Sequence, residues 1–316
     1  KHGHECDQNY KGTSGGMETA GALCIFQRSE ERCGVRYVKY LGDGDSKEFL
    51  AVQASQPYGN VSVCKLECIG HVQKRMGTRL RKLKKEGKGI KLSDGKSISG
   101  RGRLSDAIID KLQNYYGLAI RRNVGSLEDM RKAVWATYFH LASMDTNPSH
   151  GLCPKDADTS CKFNKAQLSG EPYVHKEHLP ASVLEAVSPI YQQLANPELL
   201  AKCLHGKTQN PNESFNNVVW ERAPKNVFLG HQTLKICSLD AVLTFNDGNI
   251  ARVNVLNYFG ILPGHYTVQG LRTLDLRRKY FADRAAQQAT KEARQSRRLS
   301  TKRKLDIGDE YLAGAY

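Results

Sequence analysis

Three acids in this chain have types and surroundings that suit phosphoryl-transfer chemistry: Asp43 and Asp45, in a turn that follows an apolar strand, and Glu213, in the opening turn of a helix. A strand fixes the backbone, and a carboxylate in the turn after it projects an oxygen ligand out of the sheet toward Mg²⁺, which prefers hard anionic donors. Tyr37 to Asp45 has that form, although Asp-Gly-Asp is also an ordinary turn. Glu213 lies in Gln209-Asn210-Pro211-Asn212-Glu213-Ser214-Phe215-Asn216-Asn217. There Asn210 can cap the helix, Pro211 can take its first turn, and a carboxylate near the start favours the dipole and the free N–H groups. The other reading is that this helix start, docked on the sheet, presents Glu213 to the same metal ions as the Asp43 turn.

Softer ligands form two further groups. Cys68-Ile69-Gly70-His71 places a thiol and an imidazole three residues apart, as half a zinc site or as a packed thiol beside a hydrogen-bonded ring. Nothing nearby completes four ligands. His150, Cys153 and Cys161 are followed by His175 and His178, and Cys153, Cys161, His175 and His178 give four candidate zinc ligands within 26 residues of a segment without a core of its own. The spacing is not that of a standard finger, so unliganded surface histidines and buried thiols stand as the other reading.

These residues sit in 316 residues of which 40% are hydrophobic and 25% charged, a composition that excludes disorder throughout. The longest apolar stretch, Ala133 to Ala142, is broken by Thr137 and His140 and is far short of the roughly 18 residues of a membrane span, so no membrane partner is expected. Nine cysteines at irregular spacings fit a reducing compartment better than a disulfide framework. The first residue is Lys1, so the chain is expected to be a piece of something longer. The net charge of +15 is concentrated in two runs. Val72 to Arg103 holds twelve Lys or Arg against Glu86 and Asp94, and Arg272 to Lys304 another twelve against Asp275, Asp283 and Glu292. The first run carries Lys74, Arg75, Arg79, Arg81, Lys82, Lys84, Lys85, Lys88, Arg101 and Arg103, and it passes into a Gly- and Ser-rich loop expected to be flexible enough to follow a phosphate backbone. A solvated face is the plainer alternative. The second run also reads as a nuclear import signal, which places the protein in the nucleus.

Periodicity supplies the elements. Ala22 to Phe26 and Val35 to Leu41 read as strands, the second stopping at Gly42-Asp43-Gly44-Asp45. Leu66, Ile69, Val72, Met76, Leu80 and Leu83 recur at helical spacing on one face of a basic helix that Gly87 ends. Further helices are expected near 105–116, 126–143 (with Ser126 and Asp129 as a capping box), 180–194, 197–203, 211–222, 234–245 and 270–304. Residues 146–180 read as a loop or a small metal-stapled unit.

The combined order resembles that of Mutator-like element transposases of the animal type, members of the DDE superfamily. It is carried by Tyr40-Leu41-Gly42-Asp43-Gly44-Asp45-Ser46-Lys47, Glu67-Cys68-Ile69-Gly70-His71-Val72-Gln73-Lys74-Arg75-Met76-Gly77, and Gly206-Lys207-Thr208-Gln209-Asn210-Pro211-Asn212-Glu213-Ser214-Phe215-Asn216, and it spans about Asn9 to Arg298. The resemblance implies an α/β fold with an RNase H-like core, here an N-terminally incomplete mixed sheet, a long and mainly helical insertion, and a C-terminal basic helix. Position by position, Asp43 matches the second Asp of the triad, with Asp45 as its substitute, Glu213 matches the Glu, and Cys68 and His71 match the family's Cys-x-x-His. The division that follows is 1–86 for the partial core, 87–205 for the insertion with the basic loop and the zinc unit, 206–269 for the return with the Glu helix, and 270–316 for a basic tail.

In that fold the first Asp lies on the opening strand, with two more strands and a helix before the second. None of Glu5, Asp7, Glu18, Glu30 and Glu31 follows a strand-like run. The expectation is therefore that the first Asp is missing and that residues 1–316 alone have little or no activity. Mg²⁺-dependent nicking or strand transfer by this chain would contradict that. The implied reaction is Mg²⁺- or Mn²⁺-dependent cleavage of double-stranded DNA at element ends and transfer to target DNA. Homo-oligomerisation is left open. The competing function is a catalytically inactive, transposase-derived nuclear DNA-binding protein.

Overall fold

The structure, a computed structural model, describes residues 10–42, 47–155, 159, 161–175 and 178–287. The described elements are mainly helices with one two-stranded parallel sheet, and the chain divides into two compact units, residues 1–210 and 211–316.

The first unit opens with helix α1 (Ser14–Gln27), whose first turn is capped by the Thr13 hydroxyl accepting the Gly16 N–H at 3.2 Å. Ala22 to Phe26, expected as a strand, lies in this helix. A five-residue apolar run fits a strand or a buried helical segment equally well, and the partner decides. Ala22, Leu23 and Phe26, on one helical face, join Phe49, Val52, Tyr58 and Val63 in a small core. Helix α2 (Ser29–Cys33) ends at Gly34, which takes the left-handed φ of 64° that stops a helix without a steric cost. The Tyr58 hydroxyl lies 2.7 Å from Ser29 Oγ and accepts the Tyr37 N–H at 2.9 Å, tying these helices to the strand that follows.

Strand β1 (Lys39–Gly42) is shorter than expected: Val35, Tyr37 and Val38 are exposed, and β2 reaches back only as far as Val38 O, which accepts the Cys64 N–H at 2.9 Å. Helix α3 (Lys47–Ser55) leads to β2 (Cys64–Glu67), which runs parallel to β1 with Leu41 opposite Leu66 and Gly42 opposite Glu67. Parallel neighbours require such a crossover. Leu66, expected on the basic helix, is a strand residue, and that helix, α4 (Ile69–Glu86), begins three residues later.

Around α4 pack α5 (Asp106–Arg122), α6 (Leu127–Ala142), α8 (Ala181–Leu194) and α9 (Pro197–Ala201), while α7 (Lys162–Ser169) contributes Phe163 to a separate small cluster with Ala136, Cys153 and Cys161. Ile69, Val72, Met76 and Leu80 of α4 are fully buried against Ile109, Leu112, Tyr116 and Ile120 of α5, Met130 and Val134 of α6, and Val183, Val187 and Tyr191 of α8. The α5 stripe continues past Tyr116 through Ala119 and Ile120, which is why the helix outruns its expected end. Gly77 of α4 and Gly117 of α5 set the close approach of the two helices: a Cβ at Gly117 would stand 2.3 Å from Gln73 Cδ, and one at Gly77 would collide with Gln113. Ser105 and Ser126 cap α5 and α6, accepting the N–H groups of Ile108 and Asp129. The Asp129 carboxylate takes the Ser126 hydroxyl at 2.6 Å.

The second unit holds α10 (Asn210–Arg222), α11 (His231–Asp247), a 3₁₀ turn (Asn249–Ala251), α12 (Arg252–Tyr258) and α13 (His265–Ala286). Helix α13 starts five residues earlier than expected, and the basic run beyond Gln287 lies outside the described residues. Among the described helices none is long and apolar enough to cross a membrane.

Candidate functional site

In parallel sheets, ligands collect beyond the carboxyl ends of the strands, where chain crossovers leave a crevice. Here that end is built by the junction of β1, β2 and α4. The Cys68 N–H donates to Gly42 O at 3.2 Å, closing the last rung at the residue before Asp43. Asp43 and Asp45 themselves lie outside the described residues. The segment following α9 comes back across this end: Glu67 N–H donates to Lys202 O at 3.0 Å and Ile69 N–H to Lys207 O at 3.3 Å. His205 accepts the Lys207 N–H on Nδ1 at 2.9 Å, which leaves its Nε2–H to donate to Glu67 O at 3.0 Å. Finally the Gln209 N–H reaches Cys68 Sγ at 3.3 Å and its side-chain amide donates to Leu41 O at 3.0 Å. The chain is thus fastened to the end of β1 two residues before Asp43 and four residues before Glu213.

Cys68 is buried at the N-cap of α4, where its sulfur serves as an acceptor for the returning chain. Neither Cys68 nor His71 belongs to a group of metal-capable ligands among the described residues. Glu67 is the acid that sequence inspection missed. It is buried at the carboxyl end of β2, and Arg75 Nη2 donates to it at 2.7 Å while Lys65 Nζ stands 3.7 Å away. Its only signal in the sequence was its place just before the Cys-x-x-His.

Glu213 lies in the first turn of α10, exposed, in the second unit. The helix opens at Asn210 itself, one residue earlier than a capping role for Asn210 would put it.

The basic run sorts by exposure. Lys74, Lys82, Lys85, Lys88 and Arg101 are exposed, while Arg75, Arg79, Arg81 and Lys84 are half-buried. Arg81 pairs with Asp110 and Lys84 with Asp106 at 3.0 Å across the α4–α5 contact, and Arg79 donates to Gln193 at 2.8 Å. Arg103 is buried, donating to both oxygens of Asp94 and to Ser182 Oγ. That fork holds the Asp94 carboxyl well below the usual carboxylate range. The loop expected to be flexible is folded back on itself: Leu92 N–H donates to Lys96 O at 2.9 Å, Gly95 turns the chain at a φ of 73°, and Ile98 and Leu104 are sunk in the main core. Arg103 is therefore a clamp inside this loop and not a hand for phosphate.

The Cys and His residues of 140–178 come together differently from their spacing. Cys153 and Cys161 meet His150 and, from the last turn of α6, His140, with their ligand atoms all within 4.8 Å of one another. His175 stands behind this quartet, its Nε2 2.8 Å from His150 Nε2 and its Nδ1 2.6 Å from Asp145. His178 is exposed and outside it. Burial, with the neighbouring His140 and His175, pushes His150 down to about 4, and burial beside Cys161 pushes the Cys153 thiol up to about 12. His140 had been read only as the break in an apolar run, since its helix brings it to the site from outside the Cys and His segment.

A family model described as Mutator-like transposase matches residues 1–161, just over half of the chain. No curated protein and no solved structure matches.

Proposed function

The chain belongs to the Mutator-like transposase family, and from that premise we propose that it carries an RNase H-like nucleotidyl-transfer site in which Asp43 and Glu213 act together on DNA. The observation that carries this reading is the pair of hydrogen bonds from Gln209 to Leu41 O and Cys68 Sγ. Along the sequence, Leu41 stands two residues before Asp43 and Gln209 four residues before Glu213. Two acids 170 positions apart in the sequence thus each follow within a few residues of one side-chain hydrogen bond at the carboxyl end of a parallel sheet, which supports the reading. Helices α1 and α2 also support the RNase H-like reading, because in that fold helical chain precedes the strand bearing the second Asp.

Mg²⁺ or Mn²⁺ suits this donor set of carboxylate oxygens, with Asp43 and Glu213 holding it, and would activate the attacking oxygen and steady the leaving one. Glu213 is exposed and engaged by no described cation, so its oxygens are available. Glu67, held by Arg75 and Lys65, braces the sheet end instead. Double-stranded DNA is the substrate, in the nucleus, gripped through its phosphates by the exposed Lys74, Lys82, Lys85, Lys88 and Arg101. Such contacts give affinity and register rather than sequence choice.

The test is DNA binding against salt. Lys85→Glu with Lys88→Glu should weaken binding to any duplex and lower the slope of log K against log salt by about 2, one per lost phosphate contact. Arg103→Ala should lower stability and leave the slope unchanged. An unchanged slope in the double variant would remove the DNA-facing role from this surface.

A further inference from the structure

We propose that His140, His150, Cys153 and Cys161 bind a zinc ion that staples residues 144–175 to the end of α6. Tetrahedral zinc, with Zn–S of about 2.3 Å and Zn–N of about 2.0–2.1 Å, sets its nitrogen and sulfur ligands about 3.5 Å apart. The structure has His150 Nδ1 at 3.4 Å from Cys161 Sγ and 3.7 Å from Cys153 Sγ, with His140 Nδ1 at 3.8 Å from Cys153 Sγ. Both imidazoles present Nδ1, and Cys153 faces both of them. A thiol has one proton and satisfies one acceptor, so hydrogen bonding alone needs two separate pairs. A shared ion needs all four ligand atoms close together, and here they lie within 4.8 Å of one another.

The surroundings fix the rings for ligation. His175 Nδ1 donates to Asp145 at 2.6 Å, which leaves its Nε2 as an acceptor for His150 Nε2–H at 2.8 Å. That relay leaves the lone pair of His150 Nδ1 aimed at the sulfurs, an outer shell of the kind that metal-bound histidines use. Phe163 lies flat on the His150 ring, with centroids 4.2 Å apart. The two thiols bind as thiolates and release two protons to solvent, so Zn²⁺ leaves the site neutral. Four protein ligands close the coordination sphere, which marks a structural rather than a catalytic ion. A cleft of about 480 Å³ lined by His140, Cys153 and Cys161 gives the ion and chelators a way in.

The staple has a mechanical task. Among the described residues of 144–175, burial is confined to His150, Cys153, Thr159, Cys161 and Ala166, too little apolar surface to hold a segment in place. The ion would anchor it to α6 and through α6 to the main core.

Metal analysis of the full 316-residue chain, loaded with zinc and dialysed, should return about one zinc per chain. Cobalt loaded in its place should show thiolate-to-cobalt charge-transfer absorption. Cys161→Ser and His140→Ala should each lower retained zinc at least about tenfold, Asp145→Asn should weaken affinity about 10–100-fold, and His178→Ala should leave both unchanged. Because a ligand variant can unfold, the wild type is also digested with trypsin with and without chelator, and removal of zinc should expose cleavage at Lys162 and Lys165 while the helical signal persists. Asp43→Asn and Glu213→Gln should leave the zinc content untouched, which separates this site from the DNA chemistry. A folded wild-type chain that retains no zinc or shows no thiolate–cobalt band would overturn the proposal. So would a His178→Ala variant that loses as much zinc as Cys161→Ser.

Discussion

Residues 10–210 and residues 211–287 are both largely helical, but different forces hold them. The first unit closes around side chains that are wholly out of water, from Ile69 and Met76 to Tyr116, Ile120 and Tyr191. Among its described residues the second buries Ala223, Ala241, Thr244, Gly248, Asn249 and Ala251, and Phe228, Tyr258, Leu262 and Tyr266 are almost fully exposed. Two carboxylates organise it. Asp240 accepts from Arg222 Nε at 2.5 Å and from Arg252 Nε at 2.7 Å, joining α10, α11 and α12. Asp275 of α13 accepts the N–H groups of Asn249 and Ile250 at 2.7 and 3.0 Å. Apolar burial is indifferent to pH, whereas a charged clamp is not, so the Glu213 helix belongs to the part of the chain that solution conditions can loosen.

Each unit contains one tryptophan, Trp135 and Trp220, so the contrast can be measured unit by unit. The largest effect belongs to the apolar core: Leu112→Ala should lower the stability of the first unit by about 2–5 kcal/mol, read by urea unfolding through Trp135 in a Trp220→Phe background. A loss below about 1 kcal/mol would break the contrast from that side. Next comes Asp240→Asn, which leaves two guanidinium groups short of their acceptor and should cost the second unit about 1–3 kcal/mol, read through Trp220 in a Trp135→Phe background. The same probe gives the pH test. Hydrogen bonds from Arg252 and then Arg222 hold Asp240 at about 2, below the roughly 3.9 of an unfolded Asp. The stability from this depressed carboxyl is complete above about pH 4 and disappears as the pH falls through 2, with no change from it on the alkaline side. The Trp220 transition should follow that course, and one centred near neutrality would require a different titrating group. The smallest effect is expected at the exposed Lys82–Glu86 pair, 3.7 Å apart one helical turn from each other: Lys82→Ala should change stability by no more than about 0.5 kcal/mol.

The same division decides what could be read from the sequence. The stripe of Ile69, Val72, Met76 and Leu80 announced α4 because an amphipathic helix must bury one face, and Gly87, Ser105 and Ser126 marked helix ends through local hydrogen bonding alone. Ala22 to Phe26 was misread because a short apolar run carries no periodicity of its own, and its face is chosen by α3. The placement of His140 in the metal-capable quartet, the burial of Arg103 and the bracing role of Glu67 all depend on contacts between distant segments, which spacing does not encode. The acids Asp43 and Glu213 were found through the order of motifs along the chain. Their convergence is our proposal, and a tertiary contact is what it requires; the bonds from Gln209 to Leu41 O and Cys68 Sγ are the observation that supports it.

The most direct test of that convergence uses Fe²⁺ in place of Mg²⁺, with ascorbate and peroxide, to cut the polypeptide by hydroxyl radicals formed at the bound ion. The account predicts cleavage clustered around residues 41–46 and 209–215 together, with both clusters lost in Glu213→Gln. Cuts at one of these segments without the other, or cuts that persist unchanged in Glu213→Gln, would contradict it.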